Sequence, residues 1–241
     1  MIKIVVITDT HGNLPALQEA LDVIGQEGYD TILHLGDVVG IGPFPAECLD
    51  TLLNQPNIHF VMGNHDAWFA NGLPNPQPAW MSDEEVEHQL WVHDQLDSHL
   101  RAEVAQWPYL IQDEFEGITV SAVHYALQSS GDDFQPIIRK PSIFDLDTLF
   151  APYNSDLVFY GHHHPFADIE GKARYINPGS LGCYSEPIAR YTIVSIGRDD
   201  ITVEHRRIPY SDRALFSMFE KRKVPDRSLL YKAFYGGRFS S

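Results

Sequence analysis

The chain has 241 residues, 44% hydrophobic and 21% charged, which suits one globular domain, or one domain with an insertion, able to bury a sizeable core. A formal net charge of −16 argues against broad binding to a nucleic-acid polymer. No apolar run approaches the ~18 residues of a membrane span, and Cys48 and Cys183 give no sign of a disulfide scaffold or a cysteine metal site, so a cytoplasmic location is the default.

The first segment, MIKIVVITDTHG, lacks the layout of a signal peptide and reads as a strand over 2–8 that ends in Asp9-Thr10-His11-Gly12-Asn13. Asn13 is a good helix N-cap, Pro15 is tolerated in the first turn, and Leu14, Leu17, Leu21 and Ile24 recur at helical spacing up to Gly28. Thr31–Leu35 is a second strand, closed by Gly36-Asp37. A glycine- and proline-rich loop then leads to a short helix over 45–53. A third strand, IHFVM, stops in Gly63-Asn64-His65-Asp66. Strand, helix, strand, helix, strand is the alternation of an α/β sheet with polar residues at the strands' carboxyl ends.

Residues 67–110 break the rhythm and read as a helical insertion over the strand ends. Its main helix is expected over 82–106, with Ser82 and Glu85 as a capping box. His88, His93 and His99 do not share a helical face and read as surface residues. Beyond it, 118–125 is a strand carrying His124, and 126–141 is irregular. A short helix over 142–151 follows, and then a strand, 157–160, that ends in Gly161-His162-His163-His164-Pro165. A strand over 173–176 leads to Asn-Pro-Gly-Ser at 177–180, a hairpin turns at 198–200, and a last helix covers 211–221 before a loose tail, YGGRFSS. Residues 201–241 hold nine Lys/Arg against four Asp/Glu, and this basic segment reads as solvent-facing.

The polar strand ends form one set: Asp9 and His11; Asp37; Asn64, His65 and Asp66; His124; His162 and His164. In a mostly parallel sheet these ends share one edge. Mixed nitrogen and oxygen ligation without thiolate suits Mn, Fe, Zn or Ni better than Ca or Mg. The pairs Asp9-x-His11 and His162-x-His164 would place two side chains on one face of an extended segment.

The ordered set D-x-H, G-D, G-N-H-D, H, G-H-x-H resembles the calcineurin-like metallophosphoesterase superfamily, in its small bacterial and archaeal branch. The resemblance implies an α/β (α+β) fold in which two mixed β-sheets pack as a sandwich between helices, a four-layer architecture. It implies two divalent transition metal ions. Asp9, His11 and His164 would hold the first, Asn64, His124 and His162 the second, and Asp37 would bridge them. His65 would not ligate but act over the phosphate as general acid, with Asp66 orienting it and favouring its protonated form. A metal-bridging hydroxide would attack phosphorus in line.

The motifs do not separate ester classes. The reading is a phosphodiesterase of small nucleotide-like or aryl/alkyl phosphates. A phosphomonoesterase or protein phosphatase is the alternative, for which Arg139, Lys140 and the basic tail would supply extra positive charge. A non-catalytic scaffold of the same fold would have lost ligands, whereas all eight positions, including His65, are present. The expected partner is a small phosphate ester, with no membrane, and a homo-oligomer is compatible with the sequence.

Overall fold

The computed structural model describes residues 1–198 and 200–239. Among the described residues, ten strands and eight α-helices form two five-stranded mixed sheets with helices on their outer faces. In the first sheet β1 (Ile2–Ile7), β2 (Thr31–His34) and β3 (Ile58–Phe60) run parallel, and β9 (Ile188–Ile196) and β10 (Ile201–Pro209) extend it in the order β10-β9-β1-β2-β3. Of the hairpin joining β9 to β10, Asp199 lies outside the described residues. In the second sheet β5 (Ile118–Val123), β6 (Leu157–Phe159) and β8 (Arg174–Asn177) run parallel, flanked by antiparallel β4 (Leu110–Phe115) and β7 (Ala167–Glu170), in the order β4-β5-β6-β8-β7.

Strand periodicity sets the layers. In β1, Ile4 and Val6 face the second sheet, where they join Val120, Ala122, Leu157, Phe159 and Ile176 in a core between the sheets. Val5 and Ile7 face the other way, against α1 (Leu14–Glu27), α2 (Pro45–Leu53) and α7 (Arg213–Lys221). The outer face of the second sheet packs on α6 (Ile143–Leu149) through Leu146 and Phe150. Helix, sheet, sheet, helix is the four-layer order that the motif resemblance implies.

Several local expectations change. Gly63-Asn64-His65-Asp66 does not merely end a strand: it opens α3 (Asn64–Asn71) with Gly63 as N-cap. The helix expected over 82–106 is two, α4 (Asp83–Asp94) and α5 (Leu100–Val104), because the Asp97 carboxylate accepts the His99 N–H and holds a turn between them. His88 and His93 are buried at 3% and 7% exposure, since α4 is covered on two sides, while His99 is exposed as expected. β4 escapes the sequence pattern because an edge strand can carry charges such as Asp113 and Glu114 on its open side.

Residues 235–239, in the expected tail, are not loose. A helix, α8 (Arg227–Phe234), precedes Tyr235, which is fully buried against Phe216 and Phe219, and Gly236 packs on Ser185. Ser240 and Ser241, also in the expected tail, lie outside the described residues. The basic segment is largely ion-paired within the molecule: Arg222 with Glu47, Arg227 with Glu220, and Arg238 with Asp212 at 2.7 Å. Truncating a buried aromatic leaves a cavity as well as losing its transfer energy. Tyr235→Ala should therefore lower stability by about 3 kcal/mol or more, read as a shift in the denaturation midpoint. An unchanged midpoint would mean the tail does not hold this position.

Candidate active site

The loops after β1, β2, β3, β5 and β6 meet at one edge of the sandwich, laced by backbone bonds such as Asp9 N–H to Gly36 O and His11 N–H to Asp37 O, both 3.0 Å. Here the chain leaves strand geometry. Asp9, His11, Asp37, His162 and His164 all have φ between 47° and 65°. The left-handed region is sparsely populated by such residues and costs of order 1–3 kcal/mol each. Asp9 and His11, and His162 and His164, thus converge by left-handed turns rather than by the alternation of an extended segment. Gly63 is required for space, not for a tight turn: its φ is −92°, and a Cβ there would collide with the Asp37 backbone N and carboxylate.

The side chains form two clusters. In the first, the His11 Nδ1–H donates to Val39 O at 3.2 Å, which turns Nε2 inward, 3.0 Å from His164 Nε2 and 3.6 Å from Asp9 Oδ1. Asp9 Oδ2 accepts from Thr8 Oγ1–H and the His162 N–H, while Oδ1 is buried with no hydrogen-bond partner among the described residues. In the second cluster, the His124 Nδ1–H donates to Leu35 O at 2.7 Å, and Nε2 faces His162 Nδ1 at 3.0 Å and Asn64 Oδ1 at 3.2 Å. Asp37 lies between: its Oδ2 is 3.7 Å from His11 Nε2 and 3.2 Å from His124 Nε2.

His11 Nε2 and His124 Nε2 thus stand as buried lone pairs beside the Asp9 and Asp37 carboxylates, an arrangement that suits a proton or a cation between them. The electrostatics agree. Burial pushes the His124 ring down, yet the Asp37 charge and hydrogen bond outweigh it and raise it to about 9. Burial and then His124 hold the neighbouring His162 down to about 3. Burial likewise opposes protonation of His11, and Asp9 and Asp37 reverse it. Burial lowers His164. Burial raises Asp9 and Asp37, but the imidazoles, His164 and His124 first, hold both carboxyls well below the usual range. Each cluster therefore draws one positive charge between two rings. Ligand atoms of Asp37, His124 and His162 lie within 4.8 Å of one another, and those of His11 and His164 likewise converge, so the donor set fits bound cations.

A family model described as the calcineurin-like phosphoesterase superfamily domain matches residues 2–199. The chain belongs to that superfamily. With the family comes metal-dependent hydrolysis of phosphoric esters. Phosphodiesterase YfcE of Escherichia coli K12 is 25% identical over 75% of this chain and 80% of its own. A metallophosphoesterase structure from Sphaerobacter thermophilus superposes with a TM-score of 0.70 at 25% identity, covering 95% of this chain and 96% of that one. A hypothetical protein of Pyrococcus horikoshii shares the fold at a TM-score of 0.82 and 19% identity, over 98% of this chain and 99% of that one.

Asp66 stands elsewhere in this phosphoesterase than its sequence neighbourhood suggests. It does not meet His65. Its carboxylate accepts the N–H groups of Asp37 (2.6 Å), Val38 (3.1 Å), Val39 (3.3 Å) and Gly63 (3.2 Å). Burial, then the Asp37 charge, push this carboxyl up to about 7, while four N–H donors favour the charged form. Asp66 thus ties α3 to the loop that presents Asp37. The His65 ring meets Gln89 of α4 instead, Nδ1 to Oε1 at 3.2 Å. A carboxylate from residue 40 is shut out, because a Cβ on Gly40 would come within 2.5 Å of His65 Nδ1.

A cleft of about 450 Å³ opens over the clusters. Arg139, His163 and Ile137 stand on one side, and Ile41, Ala233 and Phe234 on the other. Lys140 does not line it. The contribution of α8 and the role of Gln89 have no signal in the sequence, since neither sits in a strand-end motif. His163, between two candidate ligands, turns its ring to the Arg139 carbonyl at 2.7 Å and also borders the cleft.

Asp66→Asn would set an amide NH₂ against backbone N–H donors. The expected result is a stability loss on the order of 2 kcal/mol, together with weakened metal uptake, because Asp37 loses its seat. Normal metal content and midpoint in that variant would show that Asp66 does not hold the loop.

Proposed function

We propose that this protein is a dinuclear metal-dependent phosphodiesterase of small phosphate esters, acting through the strand-end site. The observation that carries the reading is Asp37 Oδ2 standing between two acceptor clusters, 3.7 Å from His11 Nε2 and 3.2 Å from His124 Nε2. Asp9, His11 and His164 would hold one cation, Asn64, His124 and His162 the other, with Asp37 shared. Transition metals suit these donors, with Mn, Fe, Zn and Ni the candidates. Bound there, such ions supply positive charge to the phosphate oxygens and lower the pKa of water.

The chain's own residues do the rest. Neutral imidazoles keep the site's net charge positive, where a set of carboxylates would repel phosphate. His65 donates Nδ1–H to Gln89, which leaves Nε2 as the atom that exchanges a proton with the leaving oxygen. Burial, the largest influence on it, holds the free ring down to about 3. A phosphate anion beside it favours the imidazolium. Arg139, exposed on the rim, is the one Lys or Arg lining the cleft among the described residues. A monoester dianion calls for more positive charge than that, which favours the singly charged diester. In this reading the chain is one domain with a helical insertion at 67–110 that carries Gln89, and the two buried free thiols suit a cytoplasmic setting.

With Mn, Ni, Zn or Fe added back to metal-free protein, an aryl phosphodiester should be cleaved at least tenfold faster than the matching monoester. The reverse ratio would make the protein a monoesterase. His65→Ala should lose about 10²–10⁴ in kcat with metal content near wild type; a metal-stripped variant would make His65 a ligand. Asp37→Ala should bind neither ion, and elemental analysis that finds one ion at full occupancy would count against a shared carboxylate.

A further inference from the structure

The Asn177-Pro178-Gly179-Ser180 segment supplies no side chain to the two clusters, yet it lies directly behind the first of them. It opens a strap, 177–183, that joins the loop after β1 to the loop after β6. The Asp9 carbonyl accepts from the Ser180 Oγ–H at 2.8 Å and from the Gly182 N–H at 3.1 Å. The His164 carbonyl accepts from the Ser180 N–H at 2.9 Å. Asp9 and His164 both sit in the left-handed region, with φ of 52° and 65°, a conformation that persists only where the surroundings over-determine it.

Arg190, on β9, closes the strap from the other side. It is 5% exposed. Its guanidinium donates from Nη2 to His164 O at 3.1 Å and from Nε to Ser180 O at 3.2 Å, with a longer Nη2 contact to Cys183 O at 3.4 Å. The Tyr184 ring covers its face, 4.0 Å from Cζ to the ring centroid. Gly179, at φ 79°, leaves room for it, since a Cβ there would come within 2.7 Å of Cζ. A buried arginine ordinarily meets a carboxylate. Among the described residues this one hydrogen-bonds to backbone carbonyls alone. Packing by itself would be served as well by an apolar side chain of similar volume, so the guanidinium stands there for the carbonyls that it joins.

We infer that Arg190 is a positioning residue: through the His164 and Ser180 carbonyls it sets the strap that aims Asp9 and His164, and with them the first cation site. The inference rests on the two-cation reading of the site. Neither Arg190 nor Ser180 hydrogen-bonds to Asn64, His124 or His162 among the described residues, so the second cation site is spared when the strap is disturbed. Asp37, which both sites share, is seated by Asp66 instead.

The test titrates metal-free protein with Mn, read by elemental analysis of the bound ions and by electron paramagnetic resonance of the coupled pair. Wild type should take up two ions that give a coupled signal. Arg190→Met keeps the apolar stem and loses the donors; it should hold one ion as wild type does, bind the other at least tenfold more weakly, and show the signal of isolated Mn. Ser180→Ala removes a single oxygen and should weaken the same one ion, so it reads the strap even where Arg190→Met fails to fold. Val194→Ala, on the same strand but buried between the two sheets, controls for lost stability and should keep both ions. Wild-type affinity for both ions in Ser180→Ala or in folded Arg190→Met overturns the inference. So does the loss of both ions together, or an equal loss in Val194→Ala. A wild type that binds a single ion overturns the two-cation reading and the inference with it.

Discussion

Two hydrogen bonds set the electrostatics of the molecule's working edge: His11 Nδ1–H to Val39 O and His124 Nδ1–H to Leu35 O. Each fixes a tautomer and points the other ring nitrogen inward as a lone pair. Once both rings are so held, the Asp9 and Asp37 carboxylates, the Asn64 carbonyl and the His162 and His164 rings gather around these two lone pairs in the same small volume. The folded chain is thereby committed to a positive charge there. Asp66 belongs to the same constraint, because its four N–H donors hold the loop on which Asp37 and Val39 sit. A change at either bond or at Asp66 would be felt at both clusters.

That commitment explains why the backbone is strained where it is. A strand delivers side chains alternately to its two faces. Five inward side chains from three short loops require something else, and the left-handed turns at Asp9, His11, Asp37, His162 and His164 provide it. The strands beneath, with fully buried Ile4, Val6, Ala122 and Phe159 between the sheets, form a rigid base against which the turns are held. Stability in the two-sheet core is what allows unfavourable φ angles at its rim.

The strands that build the base were legible because apolar runs such as IKIVVI and LVF end abruptly in polar residues. The candidate ligands were legible for the same reason, as an ordered set rather than as single residues. What lies between motifs was not. His88 and His93 look like surface residues because α4 has no clean apolar stripe; only the three-dimensional arrangement shows that α4 is covered on two sides. Asp66 follows His65 in the chain and so invites pairing with it. As the third residue of α3, however, its carboxylate reaches back to the Gly63 N–H and across to Asp37.

The same distinction separates chemistry from selectivity. The proposed reacting groups come from strand ends, whose positions follow from the sheet and can be read from local pattern. The walls around them come from α4, some sixty residues before the strand that bears the last histidines, and from α8, at the chain's other end. No short-range sequence signal couples two such helices. Their meeting depends on packing, through Tyr231 and Tyr235 against Phe216 and Phe219 on one side and the Pro225 carbonyl on His88 on the other. Gln89 lies on both sides of this division, since it borders a cavity between the helices and also fixes the His65 ring. Through that one amide, the way α4 packs bears on the proposed chemistry.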